Sequence, residues 1–317
     1  MLNSTPFNTH SRSFCTSSHL ARLDISGIYP PITTPFDQDE KINWTSLQKN
    51  MDKWNSIPFR GYVVQGSNGE YAYMTSEERI ELVSKVKAMM PNDKLLLAGS
   101  GCESTRATVE MSKSMAAAGA DACLVVTPCF YKSGMTDDAM FSHFTAVADN
   151  SPVPIILYSV PANTGLDMSA EAIIKLSSHP NIAGLKDSGG DISKLSYVVH
   201  KTKDNGFQVL AGSASFLLAA YHMGCVGGVC ALANVLGKEC CDLEALYKAG
   251  EYDKARDLQY RLIAPNMDVT RKFGVAGLKQ AMEWLGYIGG PTRSPLIKLK
   301  PDQTAVIEKD FKENGFL

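Results

Sequence analysis

The chain has 317 residues, a formal net charge of −2 and a pI near 6.3. Its 44% hydrophobic and 20% charged residues are typical of a globular enzyme with one large core. The balanced charge argues against a nucleic-acid partner, which usually needs a concentrated basic face. Six scattered histidines and eight cysteines without a CxxC pair give no metal-ligand spacing, so neither a metal nor any other cofactor is predicted.

The first 23 residues differ in composition from the rest of the chain. They contain no Asp or Glu, carry Arg12 and Arg22, and are rich in Ser and Thr. This pattern is typical of a mitochondrial transit peptide, and it lacks the long apolar stretch of a secretory signal. We therefore predict a leader over residues 1–23 and a location in the mitochondrial matrix. The alternative is a tail without a targeting role.

Short, continuously apolar runs recur about every thirty residues, and a helical pattern fills each gap. Continuous rather than alternating apolar runs are expected of parallel strands that are covered on both faces. Eight such strand–helix units predict an α/β fold, a (β/α)₈ TIM barrel over residues 24–235, with a doubly wound sheet as the competing architecture. The predicted strands are residues 27–35, 61–66, 95–100, 122–128, 153–160, 182–187, 208–212 and 226–232.

Helix signals are clear at several positions. Residues 75–78 (TSEE) form a capping box, and Asn43 precedes a helix with apolar residues at helical spacing. Residues 236–317 are predicted to form a helical C-terminal region on the barrel, with helices over 239–248, 252–272 and 275–285.

Residues 207–237 carry no Asp, Glu, Lys or Arg, which resembles a membrane span. Glycines at 224, 227 and 228 would break a spanning helix, so we assign this segment to the barrel interior and expect no membrane partner.

Two polar residues at neighbouring strand ends suggest chemistry. A barrel of this kind places its active site at the carboxyl ends of its strands. Lys186 follows the apolar run 182–185, and burial favours the neutral, nucleophilic form of a lysine amine. Tyr158 ends the preceding strand and could relay protons once an imine forms. The alternatives are a lysine that extends to solvent or pairs with Asp187, and a structural tyrosine.

Two glycine-containing turns suggest ligand binding of different kinds. Residues 66–69 (GSNG) offer backbone N–H groups and short polar side chains, which suit a carboxylate, although Asn-Gly turns are common. Residues 99–101 (GSG) begin like a dinucleotide loop, but the third glycine is replaced by Ser104. A nicotinamide cofactor is therefore not expected.

Three ordered motifs, at residues 66–70 (GSNGE), 158–165 (YSVPANTG) and 184–188 (GLKDS), resemble the dihydrodipicolinate synthase/N-acetylneuraminate lyase superfamily. The resemblance runs from about residue 24 to the C-terminus. It implies that Lys186 forms a Schiff base with a small-molecule 2-oxo acid and that Tyr158 transfers protons. It also implies that Ser67 and Asn68 hold the substrate carboxylate, that Ser188 and the backbone of Gly212 line the pocket, and that the protein is a homotetramer.

Within the superfamily the chain looks closest to the mitochondrial aldolases that cleave 4-hydroxy-2-oxoglutarate to pyruvate and glyoxylate in hydroxyproline breakdown. The alternative is another pyruvate-dependent aldolase or dehydratase that acts on deoxy sugar acids. Asn163 stands where the synthases usually carry an arginine for their second substrate, which argues against synthase activity. The tyrosine that often reaches into a neighbouring subunit aligns with Phe130, so either Tyr131 replaces it or the proton relay is shortened.

Overall fold

Eight parallel strands, each followed by one or more helices, form a single sheet in the computed structural model, which describes residues 22–317. The strand order around the sheet is β1-β8-β7-β6-β5-β4-β3-β2. Hydrogen bonds between β2 and the residues just beyond β1, from Val63 N–H to the Pro30 carbonyl and from Ile32 N–H to the Val63 carbonyl, bring the two edges together. The predicted (β/α)₈ TIM barrel is therefore confirmed. The strands are β1 Gly27–Tyr29, β2 Gly61–Val64, β3 Leu95–Gly99, β4 Ala122–Val126, β5 Ile155–Ser159, β6 Ile182–Asp187, β7 Gln208–Ala211 and β8 Gly227–Val229.

Most strands are shorter than the apolar runs from which they were predicted. The largest difference is in β1, where the run 27–35 becomes a strand of three residues. Pro30 and Pro31 follow directly and have no N–H group to donate to a ladder, so regular pairing ends there. The apolar residues beyond the strand, including Ile32, are still buried.

Twelve helices are seen in the described part of the chain. The capping box is confirmed at the start of α2, where Thr75 and Glu78 exchange their hydrogen bonds, and the Asn43 side chain caps α1. The helices are α1 Trp44–Asn55, α2 Ser76–Met89, α3 Thr105–Ala117, α4 Asp137–Asn150, α5 Pro161–Thr164, α6 Ala170–Leu176, α7 Ile192–Thr202, α8 Leu217–His222, α9 Gly237–Lys248, α10 Tyr252–Met267, α11 Gly274–Trp284 and α12 Pro301–Glu313.

The C-terminal helices pack beside the carboxyl ends of the strands. The run predicted as one helix over 252–272 divides into α10 and a π-helical turn, Asp268–Lys272, which leads into α11. A π-turn adds one residue to a helical turn and changes the direction of the side chains that follow it. It cannot be read from apolar periodicity, and it lies next to the cavity described below.

Two apolar layers stabilise the barrel. The inner layer fills the barrel itself and includes Tyr29, Val63, Leu97 and Leu210, while a larger outer layer lies between the strands and the helices. Among residues 22–317, no helix has the combined length and apolar character needed to cross a bilayer. The predicted leader, residues 1–23, lies outside the described residues except for Arg22 and Leu23.

Candidate active site

Lys186 and Tyr158 lie side by side at the carboxyl ends of β6 and β5. They are register partners in the parallel ladder, so both side chains leave the sheet at the same level. Lys186 is only 3% exposed, and its Nζ lies 4.0 Å from the centre of the Tyr158 ring. This burial excludes a Lys186 that extends to solvent. A pair between Lys186 and Asp187 is not formed either, because Asp187 pairs with Lys194.

The surroundings of Tyr158 favour loss of its phenolic proton. Burial by itself would raise the pKa of Tyr158, but the charge of Lys186 and hydrogen bonds from Ser67, Lys186 and Ser188 outweigh that effect, so the pKa lies below its usual value of 10. The Ser67 Oγ is 3.5 Å from the Tyr158 hydroxyl. A phenol with a lowered pKa, beside an amine, is suited to passing protons to and from a reacting group.

The turn after β2 presents Ser67 and Asn68 to the same space. It is a single 3₁₀ turn, Ser67–Gly69, and the residues on either side of it, Gln65 and Glu70, have φ values of +65° and +59°. Non-glycine residues adopt this left-handed region at a cost, and they do so mostly where the surrounding structure holds them for function. The tight backbone turn brings Ser67 and Asn68 to the cavity that Tyr158 also lines.

A second close approach joins the ends of β6 and β7. Gly212 N–H donates to the Asp187 carbonyl at 2.7 Å, and Ser188 Oγ lies 3.4 Å from the Gly212 carbonyl. A Cβ atom at position 212 would lie 2.1 Å from Ser188 Oγ, so only glycine fits there. The missing side chain brings the backbone of β7 against Ser188 and keeps the pocket open.

All six predicted site residues line one cavity of about 180 Å³. The side chain of Lys186 enters the cavity from the buried strand β6, and the other five residues line the same space. The sequence analysis did not find the residues of the C-terminal region that complete the wall. These lie on the π-turn and the start of α11: Val269, Thr270, Arg271, Gly274 and Val275.

A buried charge network holds the Ser67–Gly69 turn. The Glu70 carboxylate, 1% exposed, lies 2.6 Å from the Lys279 ammonium, which is 3% exposed. Its other oxygen accepts the Arg293 N–H at 2.8 Å, and Arg293 in turn pairs with Glu78 at 2.7 Å. The turn that follows β2 is thereby tied to α11 and to the segment before α12. No sequence pattern indicated this, because the partners are more than 200 residues apart.

A second network fixes the end of β6. Lys194, in the first turn of α7, reaches both Asp187 at 2.8 Å and Asp167 at 2.5 Å, and Ser159 donates to Asp167 at 2.9 Å. Asp187 also accepts the Gly189 N–H at 2.8 Å. Asp187, the residue that follows Lys186, is therefore fixed by an ion pair and by a backbone hydrogen bond.

The aromatic pair after β4 points away from the barrel. Phe130 and Tyr131 are each 76% exposed and contact one another edge to face, with ring centres 5.1 Å apart. Glu103 accepts the Phe130 N–H at 2.9 Å and so orders the base of this loop. Neither ring reaches the Lys186 cavity of its own chain. Two large exposed aromatic rings at one place are typical of a surface that contacts another molecule.

No group of three or more His, Cys, Asp or Glu side chains in residues 22–317 is arranged to hold a metal ion. The only charged side chains at the cavity, among the described residues, are Lys186 and Arg271. The chemistry that this arrangement offers is a buried amine, a phenol with a lowered pKa, and hydrogen-bond donors for a carboxylate.

Comparisons with known proteins agree with this picture. The model of the dihydrodipicolinate synthetase family matches residues 24–314. A protein of Emericella nidulans named probable 4-hydroxy-2-oxoglutarate aldolase, mitochondrial, is 32% identical over 92% of this chain and 95% of its own length. A 4-hydroxy-tetrahydrodipicolinate synthase of Methanoculleus marisnigri is 31% identical over 91% and 99%.

Among solved structures, the dihydrodipicolinate synthase of Acinetobacter baumannii, determined in complex with pyruvate, superposes with a TM-score of 0.86 and 26% identity, covering 93% of this chain and 100% of that one. The resemblance found in the three sequence motifs is thus confirmed over nearly the whole length of the described residues. The chain belongs to the dihydrodipicolinate synthetase family and is an enzyme of its Schiff-base aldolase and lyase class.

Proposed function

We propose that this enzyme cleaves 4-hydroxy-2-oxoglutarate to pyruvate and glyoxylate through an imine at Lys186. The observation that carries the proposal is the 4.0 Å approach of the buried Lys186 amine to Tyr158 inside one small cavity. The name of the Emericella nidulans relative supports the substrate. Asn163 at the cavity wall is neutral, and the family resemblance implies an arginine at this place in the synthases, which disfavours their reaction here.

The steps follow from the positions of these groups. The unprotonated Lys186 amine attacks the C2 ketone, and the resulting carbinolamine loses water with a proton delivered through Tyr158, which gives an iminium ion. Ser67 and Asn68 hold the adjacent C1 carboxylate by hydrogen bonds, so the chain of the substrate extends toward the cavity mouth.

Tyr158 then removes the proton of the C4 hydroxyl. The electrons of the C3–C4 bond move into the iminium ion, glyoxylate leaves as the aldehyde, and an enamine remains on Lys186. Protonation at C3 and attack by water release pyruvate and regenerate the amine. Ser188 and the Gly212 backbone shape the wall against which the substrate chain lies.

Borohydride reduction in the presence of pyruvate tests the nucleophile. A stable covalent mass increment on Lys186 is expected in the native enzyme and in a Lys238→Met control, whose lysine is exposed on α9. The increment should vanish in Lys186→Met. An increment on another lysine, or none at all, would refute the mechanism.

Product analysis tests the substrate. We expect glyoxylate and pyruvate from 4-hydroxy-2-oxoglutarate, little turnover of longer deoxy sugar acids, no formation of 4-hydroxy-tetrahydrodipicolinate, and full activity after treatment with a chelator. Preference for a deoxy sugar acid would assign the enzyme to another reaction of the family.

We further propose that the protein is a homotetramer of the mitochondrial matrix. The exposed Phe130–Tyr131 pair supports contact with a second copy, and the acid-free leader, together with the name of the Emericella nidulans relative, supports import. Sedimentation of the native enzyme and of the double variant Phe130→Ser/Tyr131→Ser tests assembly.

A fluorescent fusion with and without residues 1–23 tests targeting. Cytosolic fluorescence of the full-length fusion would contradict mitochondrial import.

A further inference from the structure

One positive charge at the cavity has no role in the steps above. Arg271 and Lys186 are the two cationic side chains among the described residues of the cavity wall, and Lys186 forms the imine. The other polar side chains there, including Asn163 and Thr270, are neutral. A substrate with two carboxylates brings two negative charges into this space.

Arg271 lines the cavity and is exposed to solvent, so its side chain lies where the cavity opens, against the turn after β6. Its Nη2 is 3.8 Å from the point that a Cβ atom would occupy at Gly190, so the side chain lies across the end of the segment that begins with Ser188. The π-turn, Asp268–Lys272, sets this direction. Such turns are frequently found at functional sites.

Arg271 has no partner among residues 22–317. It forms no ion pair with any acidic side chain there, while its neighbour Lys272 is paired with Asp268 at 2.8 Å and with Asp310 at 3.0 Å. Asp268 and Asp310 are thus already paired with the neighbouring lysine. A free guanidinium presents a planar fork of N–H donors that matches a carboxylate in two hydrogen bonds.

The positions of the other groups decide which carboxylate it meets. The Ser67–Gly69 turn is close to Tyr158 and the imine, where the C1 carboxylate of any 2-oxo acid must lie. A carboxylate at the far end of a short chain extends away from the imine, toward the mouth of the cavity.

We infer that Arg271 binds the distal carboxylate of a dicarboxylic 2-oxo acid and thereby selects dicarboxylic over monocarboxylic substrates. This inference rests on the proposed function for its substrate, 4-hydroxy-2-oxoglutarate, whose C5 carboxylate is the expected partner. Arg271 is a specificity-determining residue, and imine formation itself does not depend on it.

The test compares two 2-oxo acids that differ in the distal carboxylate, 2-oxoglutarate and 2-oxobutyrate, by the concentration that gives half-maximal borohydride trapping. In Arg271→Gln we expect trapping of 2-oxoglutarate to weaken by about 10- to 100-fold, the loss expected for a charge-assisted hydrogen-bonded pair. Trapping of 2-oxobutyrate should be unchanged. Arg271→Lys should retain part of the preference, and Arg256→Gln, an exposed arginine of α10, is the matched control.

An equal loss for both acids, or no loss for either, overturns the inference. The outcome for the proposed function is read separately, from cleavage of 4-hydroxy-2-oxoglutarate by the native enzyme. If the native enzyme does not cleave it but prefers 2-oxoglutarate through Arg271, the inference stands and the proposed substrate fails. If it cleaves the substrate and Arg271→Gln has unchanged kcat/KM, the inference alone fails.

Discussion

Replacement of Lys279 by methionine is expected to destabilise the enzyme and to weaken substrate binding at a distance. Lys279 and Glu70 form a buried pair at 2.6 Å, and both side chains are almost completely removed from solvent. Burial lowers the pKa of Lys279, although Glu70 opposes that shift, so the charge of the lysine depends on its partner. Lys279→Met leaves the Glu70 carboxylate buried beside an apolar side chain.

The magnitude follows from the burial. Removal of one partner of a buried ion pair typically costs about 3–5 kcal/mol of unfolding free energy, because the remaining charge is uncompensated. Lys279 also loses its hydrogen bond to the Pro291 carbonyl at 2.7 Å. Since Glu70 ends the Ser67–Gly69 turn, we expect a raised KM for the 2-oxo acid and a smaller change in kcat.

Urea unfolding at fixed protein concentration measures the loss of stability, and initial rates measure KM and kcat. Lys238→Met is the matched control, since its pair with Asp242 is exposed and should contribute less than about 1 kcal/mol. The double variant Glu70→Gln/Lys279→Met should lose less than the sum of the two single variants, with a coupling of about 0.5–3 kcal/mol. A loss below about 1 kcal/mol in Lys279→Met, with unchanged KM, would refute this reasoning.

Three further results are expected. Tyr158→Phe should lower kcat by about 10² to 10⁴-fold in steady-state assays while borohydride trapping persists, because proton transfer is removed and the amine remains. Gly212→Ala should cost about 1–3 kcal/mol in urea unfolding and raise KM, since its Cβ would overlap Ser188 Oγ, and unchanged values would contradict the close approach. Burial lowers the pKa of His143 from 6.5 to about 4, so its contribution to stability is complete above pH 6.5 and is lost as the pH falls toward 4. The slope of stability against pH over this interval should be smaller in His143→Gln by the share of one proton, and an unchanged slope would assign it to other groups.

The fold and the position of the candidate site could be read from the sequence for identifiable reasons. Eight apolar runs separated by helical patterns specify parallel strands, because such strands are buried on both faces. The polar residues at their ends then fall at one edge of the barrel, which is why the sequence alone indicates that Lys186 and Tyr158 lie together. Their catalytic roles, and those of Ser67, Asn68 and Ser188, stay predictions.

Other features depend on contacts between distant parts of the chain. The limits of β1 are set by Pro30 and Pro31, and the division of the helix after residue 252 is set by a π-turn that has no periodic signature. Arg271 is ordinary in the sequence, and its place at the cavity results from that turn.

The sequence by itself determined the barrel, the order of its strands and the strand ends that carry polar groups, since local periodicity and apolar content encode those properties. Only the tertiary structure decided what holds and completes the pocket: the Glu70–Lys279 pair, the Lys194 network and the wall from the π-turn. The physical reason is that burial and charge pairing depend on neighbours in three dimensions. Here some of these neighbours lie more than 200 residues apart in the chain.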